Sequence, residues 1–366
     1  MLLVCASSAL FAQSTNDANN FYLRGEFDSA YAIAAPLSQQ SPEDTALNLL
    51  VGRILADKEK FLEAIPYLKK TLELDADGTM RRPWALTFLG VCYYSTGQYE
   101  DAKSALEQCM AIKSNRNTLN LAHNLYLNFG LDSTFTTWTT TETPHFIFHF
   151  EPRSVISDTE TFITNIEHDY DTLNKFFGAT LPKKIDYYAW NSNNDAAKAG
   201  LQRLAFTRPA SCVIHSGISL TQGRELTRIL ADYAGGGNPK PGFIDDGMTG
   251  CFDLRSGDDK LVIARAWMRS KKITDTIPIK YYWNYWWLFN NEQLSPVASA
   301  FVQRLIALGG REKFLQLIKD QTYGNAVAIY GAQLNTIIAD FEKSLFVKEE
   351  KKDEKQGENK GTNMKQ

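Results

Sequence analysis

The sequence predicts a mainly helical protein with a minor β part, in which a helical repeat unit precedes an α+β unit. Two observations predict this class. Small and aromatic residues recur at a regular spacing through the first third of the chain. The remainder mixes helical periodicity with short alternating segments that are typical of strands.

Composition limits the function classes. The chain has 366 residues, 44% hydrophobic and 22% charged, which is ordinary for a globular protein of two or three domains. The formal net charge of −3 lies too close to neutral to indicate nucleic acid or an anionic membrane surface as a partner.

The repeat is built from paired aromatic and small residues. Three aromatic residues each stand three positions before an alanine: Phe27 before Ala30, Phe61 before Ala64, and Tyr99 before Ala102. Gly52 and Gly90 occupy matching places on the preceding helices. Small residues let paired helices approach closely, while the aromatic side chain fills the gap between neighbours.

This pattern resembles the tetratricopeptide repeat and covers residues 17–131, where Asn117–Leu131 is predicted as a capping helix. The resemblance implies an α-solenoid of stacked helix pairs with a concave face. Such a face binds a peptide or protein partner, although many such stacks serve only as structural adaptors.

The two ends of the chain are predicted to lie outside the folded units. Residues 1–13, MLLVCASSALFAQ, have the apolar run and small-residue end of a secretory signal but no positive n-region, so we expect a truncated signal peptide. The alternative is an unremarkable apolar segment. The charged tail 348–366 lacks aromatic residues and is expected to be disordered. No later segment has the ~20 apolar residues of a membrane helix. We therefore expect a protein that is not transmembrane, exported to the periplasm, envelope or exterior of a bacterium.

The second unit is predicted over residues 145–347, after a threonine-rich linker at 132–144. His145–Phe150 alternates with period two and predicts a strand, and Asp158–Phe177 predicts an amphipathic helix that Gly178 ends. Further strands are expected at 184–189 and 212–215, and further helices at about 221–233, 259–269, 295–308, 311–320 and 331–346.

One predicted helix contains a motif that differs from a zinc-binding motif at two positions. Residues 223–230 read GRELTRIL, and histidines in place of the two arginines would give HELTH. Other segments match in order, namely PHFIFHF at 144–150, CVIHS at 212–216, PGFIDDGMT at 241–249 and the closing segment 295–318. Together they resemble the peptidase-MA-like branch of the gluzincin metallopeptidases. In that family CVIHS corresponds to an edge strand.

The resemblance implies a role for each position of the motif. Arg224 and Arg228 stand where that family has histidine ligands, Asp246 stands at the third ligand, and Glu225 matches the general base. A guanidinium is always protonated and has no lone pair for zinc. We therefore expect no zinc, no other cofactor and no zinc-dependent hydrolysis. We hypothesise that an arginine–carboxylate network fills the former metal pocket; the alternative is a solvated helix face.

Several side chains leave alternatives open. His215 is either a replacement ligand beside Glu225 and Asp246 or a satisfied histidine of the core. The dense aromatic run at 281–289 includes Trp283, Trp286 and Trp287, which either line a cleft for peptide or sugar or pack between helices. We favour packing, with one or two rings exposed at the cleft.

The cysteines also leave an alternative open. Those that follow the signal show no CxxC spacing, and a disulfide between Cys212 and Cys251 stays open.

The predicted function is a protein- or peptide-binding module with a gluzincin-like domain that has lost its activity. One alternative is an active hydrolase, either with an atypical metal site or without a metal. The other alternative is a structural adaptor in which only the repeats matter.

Overall fold

The computed structural model describes residues 14–75, 78, 80–112, 116–152, 155–201, 204, 206–218, 223–236, 242–254, 259–273, 278–289 and 291–346. The predicted signal peptide and disordered tail lie outside the described residues, so both stay predictions. Within the described residues, no helix is long and apolar enough to cross a membrane.

The first part of the chain is a stack of helical hairpins. Its helices are α1 (14–23), α2 (Phe27–Gln40), α3 (Thr45–Asp57), α4 (Phe61–Leu74), α5 (Arg81–Ser95), α6 (Tyr99–Ala111) and α7 (Arg116–Asn128). Short turns join the helices of a pair, and α4 packs on α5 to join successive pairs. The first helices of the pairs, α3, α5 and α7, contact one another and form the inner layer.

The small residues of the repeat pattern lie where helices touch. A β-carbon on Gly52 would lie 2.7 Å from the side chain of Leu68, and one on Gly90 would lie 2.6 Å from Leu106. The three repeat alanines, Ala30, Ala64 and Ala102, are fully buried. The close approach that the sequence predicts for the repeat is therefore present in the fold.

One turn of the repeat departs from its neighbours. Gly25 and Gly97 adopt left-handed backbone conformations, with φ of +75° and +78°, in the turn within their helix pairs. The same position of the middle pair holds Glu59, with φ of 59°. A left-handed backbone costs a glutamate about 1–2 kcal/mol more than a glycine.

The second part of the chain surrounds a five-stranded sheet. The strands are β1 (Thr139–Glu142), β2 (Phe146–Phe150), β3 (Ile185–Trp190), β4 (Phe206–Arg208) and β5 (Val213–Gly217). The helices are α8 (Thr159–Phe177), α9 (Asn193–Lys198), α10 (Gly223–Gly235), α11 (Phe243–Cys251), α12 (Lys260–Ser270), α13 (Ile279–Asn284), α14 (Asn291–Gly309), α15 (Arg311–Leu317), α16 (Tyr323–Tyr330) and α17 (Ala332–Ser344). Gly178 ends α8 in a left-handed conformation, as predicted.

The strand order is β1-β2-β3-β5-β4, with β2, β3 and β5 parallel and the two outer strands antiparallel to their neighbours. This order corrects two expectations. The segment CVIHS forms β5, which is an inner strand, because β4 pairs along its outer side. The segment 132–144 was predicted as a linker, but it contains β1 and a 3-10 turn at Ser133–Thr137, because its threonines suit an exposed edge strand.

The sheet is covered on both faces. One face, with Phe146, Phe148 and Tyr187, packs on α8 and α10 in the core of the second part. The other face, with Tyr188 and Trp190, belongs to the hydrophobic core of the repeats. Every residue of β3 is therefore buried.

Four helices of the second part were not predicted: α9, α11, α13 and α16. Each is short, at 6, 9, 6 and 8 residues, which leaves little room for a helical periodicity in the sequence. The most important of the four for function is α11, because it carries Asp246.

Candidate functional site

The motif residues Arg224, Glu225 and Arg228 lie in the first two turns of α10, which the buried residues Leu226, Ile229 and Leu230 anchor on the sheet. A glycine is required at its start, because a β-carbon on Gly223 would lie 2.4 Å from the carbonyl oxygen of Phe252. That contact places the start of α10 beside the end of α11, which carries Asp246.

Glu225 is buried, with 2% of its surface exposed. Thr207, on the edge strand β4, donates a hydrogen bond from its hydroxyl to Oε2 of Glu225. Nη1 of Arg228 lies 3.3 Å from both carboxylate oxygens of Glu225. The carboxylate is thus held by a hydroxyl from the sheet and by a guanidinium one helical turn away.

Asp246 lies on α11, which packs closely on α14. A β-carbon on Gly247 would lie 2.5 Å from the carbonyl oxygen of Ala298, so the two helices touch beside Asp246. Burial raises the pKa of Asp246, and the positive charges of Arg228 and Arg224 oppose that rise without cancelling it. Both motif arginines therefore act on this carboxyl by charge.

A small cavity of about 10 Å³ opens beside this group, with room for about one water molecule. Arg228, Asp232 and Asp245 line it together with apolar side chains. Burial raises the pKa of Asp245 to about 6; the charge of Arg228 opposes this rise, whereas Asp246 and Asp232 add to it. Arg228 is thus the cation shared by Glu225, Asp245 and Asp246.

The repeats reach this site through Glu59. Burial raises the pKa of Glu59, and the charge of Asp232 and a hydrogen bond with its side chain add to the rise. Arg208 opposes it by charge. Because Asp232 also lines the cavity beside Arg228, the strained turn of the repeats contacts the motif helix at the candidate site.

The residues at the motif positions do not suit a zinc ion. The guanidinium groups of Arg224 and Arg228 have no lone pair to donate, and Glu225 already accepts bonds from Thr207 and Arg228. Across the described residues, no group of three or more His, Cys, Asp or Glu side chains is arranged to hold a metal.

The hypothesised arginine–carboxylate network is present in part. Arg228 pairs directly with Glu225, whereas neither motif arginine forms a direct ion pair with Asp246 among the described residues. The alternative of a solvated helix face does not describe this segment, because the Glu225 side chain is only 2% exposed and the Arg228 side chain only 26% exposed.

His215 is placed away from this group. Alternate residues of β5 point to opposite faces of the sheet, so Ile214 packs towards α10 and His215 faces the repeats. Nε2 of His215 donates to the backbone oxygen of Asn128 (2.9 Å), and Nδ1 accepts from Nε1 of Trp190 (3.0 Å). Burial lowers its pKa to about 4. His215 is a core histidine, and the structure does not bring it together with Glu225 and Asp246.

The three tryptophans of the aromatic run differ in exposure. Trp283 is buried and donates from Nε1 to the backbone oxygen of Gln321 (2.7 Å). Trp286 is half-buried, and Trp287 is 60% exposed. All three line a pocket of about 240 Å³, which shares Gln321 with the cavity beside Arg228.

Sequence reasoning missed Thr207, Asp232 and Glu59, and it gave Asp245 no place beside the motif. The sequence could have indicated Asp232, which follows Arg228 by four residues and so shares its helix face, and Asp245, which directly precedes Asp246. Thr207 and Glu59 come from separate elements that only the fold brings together. Cys212 and Cys251, whose pairing the sequence left open, are both free thiols in the structure.

Residues 43–115 match the tetratricopeptide repeat family, a match that covers α3 to α6. The sequence match and the paired helices agree, so this part of the chain consists of tetratricopeptide repeats. No curated protein matches the chain.

Proposed function

We propose that this protein is a peptide- or protein-binding module in which tetratricopeptide repeats are joined to a gluzincin-like unit without peptidase activity. The repeats belong to a family whose stacked helices commonly bind protein partners. In this proposal the second unit keeps the cleft of a peptidase but does not hydrolyse the peptide.

One observation carries the proposal, namely the contact of the Arg228 guanidinium with both carboxylate oxygens of Glu225. A general base acts on a water whose pKa a metal has lowered, and here a permanent cation that cannot ligate metal occupies that neighbourhood. Glu225 paired with this cation is a stabilised carboxylate with no activated water to deprotonate.

The inner layer of the repeats offers the place for a ligand. The guanidinium carbon of Arg53, on α3, lies 4.6 Å from the ring centre of Tyr22, 4.9 Å from that of Trp84 and 5.3 Å from that of Phe88. These residues come from α1, α3 and α5, the first helices of three successive pairs. This cation and the half-buried rings of Trp84 and Phe88 provide both charge and flat contact area for a peptide.

Metal analysis and hydrolysis assays test the inactive site. Purified full-length protein is expected to contain no stoichiometric zinc and to cleave no peptide. Zinc in a one-to-one ratio, or cleavage that a chelator abolishes, would contradict the proposal. The variant Arg224→His/Arg228→His/Asp246→Glu tests the ancestry of the site: zinc binding by this variant supports descent from a peptidase, and its absence counts against it.

Peptide selection tests the binding role of the repeats. A displayed random-peptide library is expected to yield peptides that bind the native chain and lose affinity for Trp84→Ala and Arg53→Met. The matched control is Leu62→Ala, since Leu62 is 71% exposed on the outer helix α4. Peptides that bind the Trp84 variant as well as the native chain would place the ligand elsewhere. If no peptide is enriched, the structural-adaptor alternative is favoured.

We also propose that the protein is exported, on the basis of the apolar run at 2–12 of the sequence. Fractionation of the bacterium that naturally produces the protein, followed by N-terminal sequencing of the native protein, tests this proposal. Recovery of the uncleaved chain from the cytoplasm would contradict it.

A further inference from the structure

The pocket beside the aromatic run is a second candidate binding site, separate from the inner layer of the repeats. It measures about 240 Å³ and lies between α13, the 3-10 turn Trp286–Leu288 and the start of α16. Trp286, Trp287 and Tyr323 contribute rings, and Asn284 and Gln321 contribute side-chain amides. The described lining residues include no charged side chain.

The two outer tryptophans form a corner. The ring planes of Trp286 and Trp287 meet at 86°, with their centres 6.3 Å apart. Trp287 remains 60% exposed although an indole is among the largest apolar side chains. An exposed indole at the mouth of a pocket offers a flat face, rich in π electrons, to the polarised C–H bonds of a ligand.

Gln321, which lines both this pocket and the cavity beside Arg228, carries a hydrogen-bond acceptor with no partner among the described residues. Oε1 of Gln321 is buried and accepts no hydrogen bond from any described residue. Leaving a buried acceptor unpaired is costly, so a ligand that donates a hydrogen bond there gains affinity. The bond from Trp283 to the backbone oxygen of Gln321 fixes the position of this residue beside the rings.

These features together define the ligand's chemistry. A ligand must present a flat apolar face to the indoles, donate hydrogen bonds to side-chain amides, and carry no net charge. The ammonium of Lys280 lies over the outer ring Tyr323, 5.1 Å from its centre, but Lys280 does not line the pocket. A neutral sugar ring meets all three requirements, because one face consists of C–H groups and its rim consists of hydroxyl groups.

We propose that this pocket binds a neutral carbohydrate, with a sugar ring stacked on Trp287 and a hydroxyl group donating to Gln321. This inference goes beyond the proposed function, because it concerns a different ligand at a different surface. Peptide binding at the repeats can fail while this site binds sugar, and the reverse also holds.

Titration calorimetry with the full chain tests the site. The probes are neutral hexasaccharides of β-1,4-linked glucose, β-1,4-linked N-acetylglucosamine and α-1,4-linked glucose, with a proline-rich decapeptide as the competing class. At least one sugar is expected to bind and to quench tryptophan fluorescence. Trp287→Ala is expected to weaken its Kd at least about tenfold. Gln321→Leu is expected to weaken it as well.

Leu288→Ala is the matched control, because Leu288 is 58% exposed next to Trp287 but does not line the pocket. Its Kd is expected to stay within about twofold of the native value. Circular dichroism checks that each variant is folded. If Trp287→Ala or Gln321→Leu does not fold, Trp286→Phe takes its place as the pocket variant. The proposal is overturned if none of the three sugars binds, if Trp287→Ala and Leu288→Ala bind alike, or if the decapeptide binds the pocket instead.

Discussion

Oη of Tyr94 donates a hydrogen bond of 2.9 Å to Oδ2 of Asp186, and this bond joins the repeats to the centre of the sheet. Asp186 also accepts from Lys183 (2.6 Å) and bonds His149 (3.1 Å). Burial alone would raise the pKa of Asp186, but the bond from His149 and the charge of Lys183 outweigh burial and lower it. The interface is therefore built on a buried carboxylate whose partners come from both parts of the chain.

Removing the Tyr94 hydroxyl should destabilise this interface. We expect Tyr94→Phe to lower the free energy of unfolding by about 1.5–3 kcal/mol, because the buried carboxylate loses a donor. Tyr126→Phe is the control, since Tyr126 makes a similar bond to Glu107 (2.7 Å) at an exposed position and should cost less than about 1 kcal/mol. Urea denaturation measures both free energies of unfolding. Equal losses would show that the buried bond to Asp186 stabilises the protein no more than the exposed bond to Glu107 does.

The repeats and the second part should unfold together. Tyr188 bonds the backbone oxygen of Phe129, and its ring lies between those of His149 (4.3 Å) and His215 (4.4 Å) at the interface. One hydrophobic core therefore spans both parts. Calorimetry of the full chain is expected to give a single transition whose calorimetric and van't Hoff enthalpies agree.

A core variant in the repeats provides the second arm of that experiment. Leu106→Ala, at a fully buried position of α6, should lower the midpoint temperature seen by tryptophan fluorescence as much as the one seen by circular dichroism. Six of the seven tryptophans follow residue 131, so fluorescence reports mainly the second part. Two separated transitions would mean that the parts are independent. The same interface explains why deletion of the repeats is a poor test of function, because it would expose Tyr188 and His215.

The pair of Arg228 and Glu225 should show strong energetic coupling. Arg228→Met leaves the Glu225 carboxylate buried without its cation and should cost about 3 kcal/mol. Glu225→Gln removes the charge that needs this partner, so the double variant should be less destabilised than the sum of the two single variants. Arg304→Met, on an exposed face of α14, should change stability by less than about 0.5 kcal/mol. Additive losses would refute the pairing.

Asp245 should make stability depend on pH. Its folded pKa, about 6, is above its ordinary value of 3.8, so its contribution is fully present below 3.8 and is lost as pH rises through about 6. This difference corresponds to at most about 3 kcal/mol. The amide side chain that Asp245→Asn introduces cannot ionise. The free energy of unfolding of this variant should therefore rise relative to that of the native protein as pH increases from 4 to 7, by an amount that corresponds to about two pKa units.

Asp132 offers a control of opposite sign. The hydrogen bonds of Thr134 lower the pKa of Asp132, so its contribution is present above the ordinary value and is lost as pH falls through the lower one. Asp132→Asn should therefore lose stability relative to the native protein as pH rises through the acid range. Denaturation midpoints of both variants across pH measure the two trends. Trends of the same sign would contradict the assignment of Asp245.

The sequence by itself determined the features that depend on neighbours along the chain. The spacing of Gly52, Ala64, Gly90 and Ala102 is sufficient to predict the paired helices, since each contact lies within one or two repeats. The alternation of residues 145–150 likewise predicts β2, and Arg224 and Arg228 fall on one helix for the same local reason. Local periodicity carries these predictions because helix and strand geometry repeat every few residues.

Only the tertiary structure decided which distant side chains meet. It placed β4 outside β5, directed His215 towards the repeats, and brought Thr207 to Glu225. It also covered the second face of the sheet with the repeats, which no periodicity within either part predicts. The contact of His215 with Asn128 joins residues 87 positions apart. The free energy that selects such contacts comes from burying both faces of one sheet at the same time.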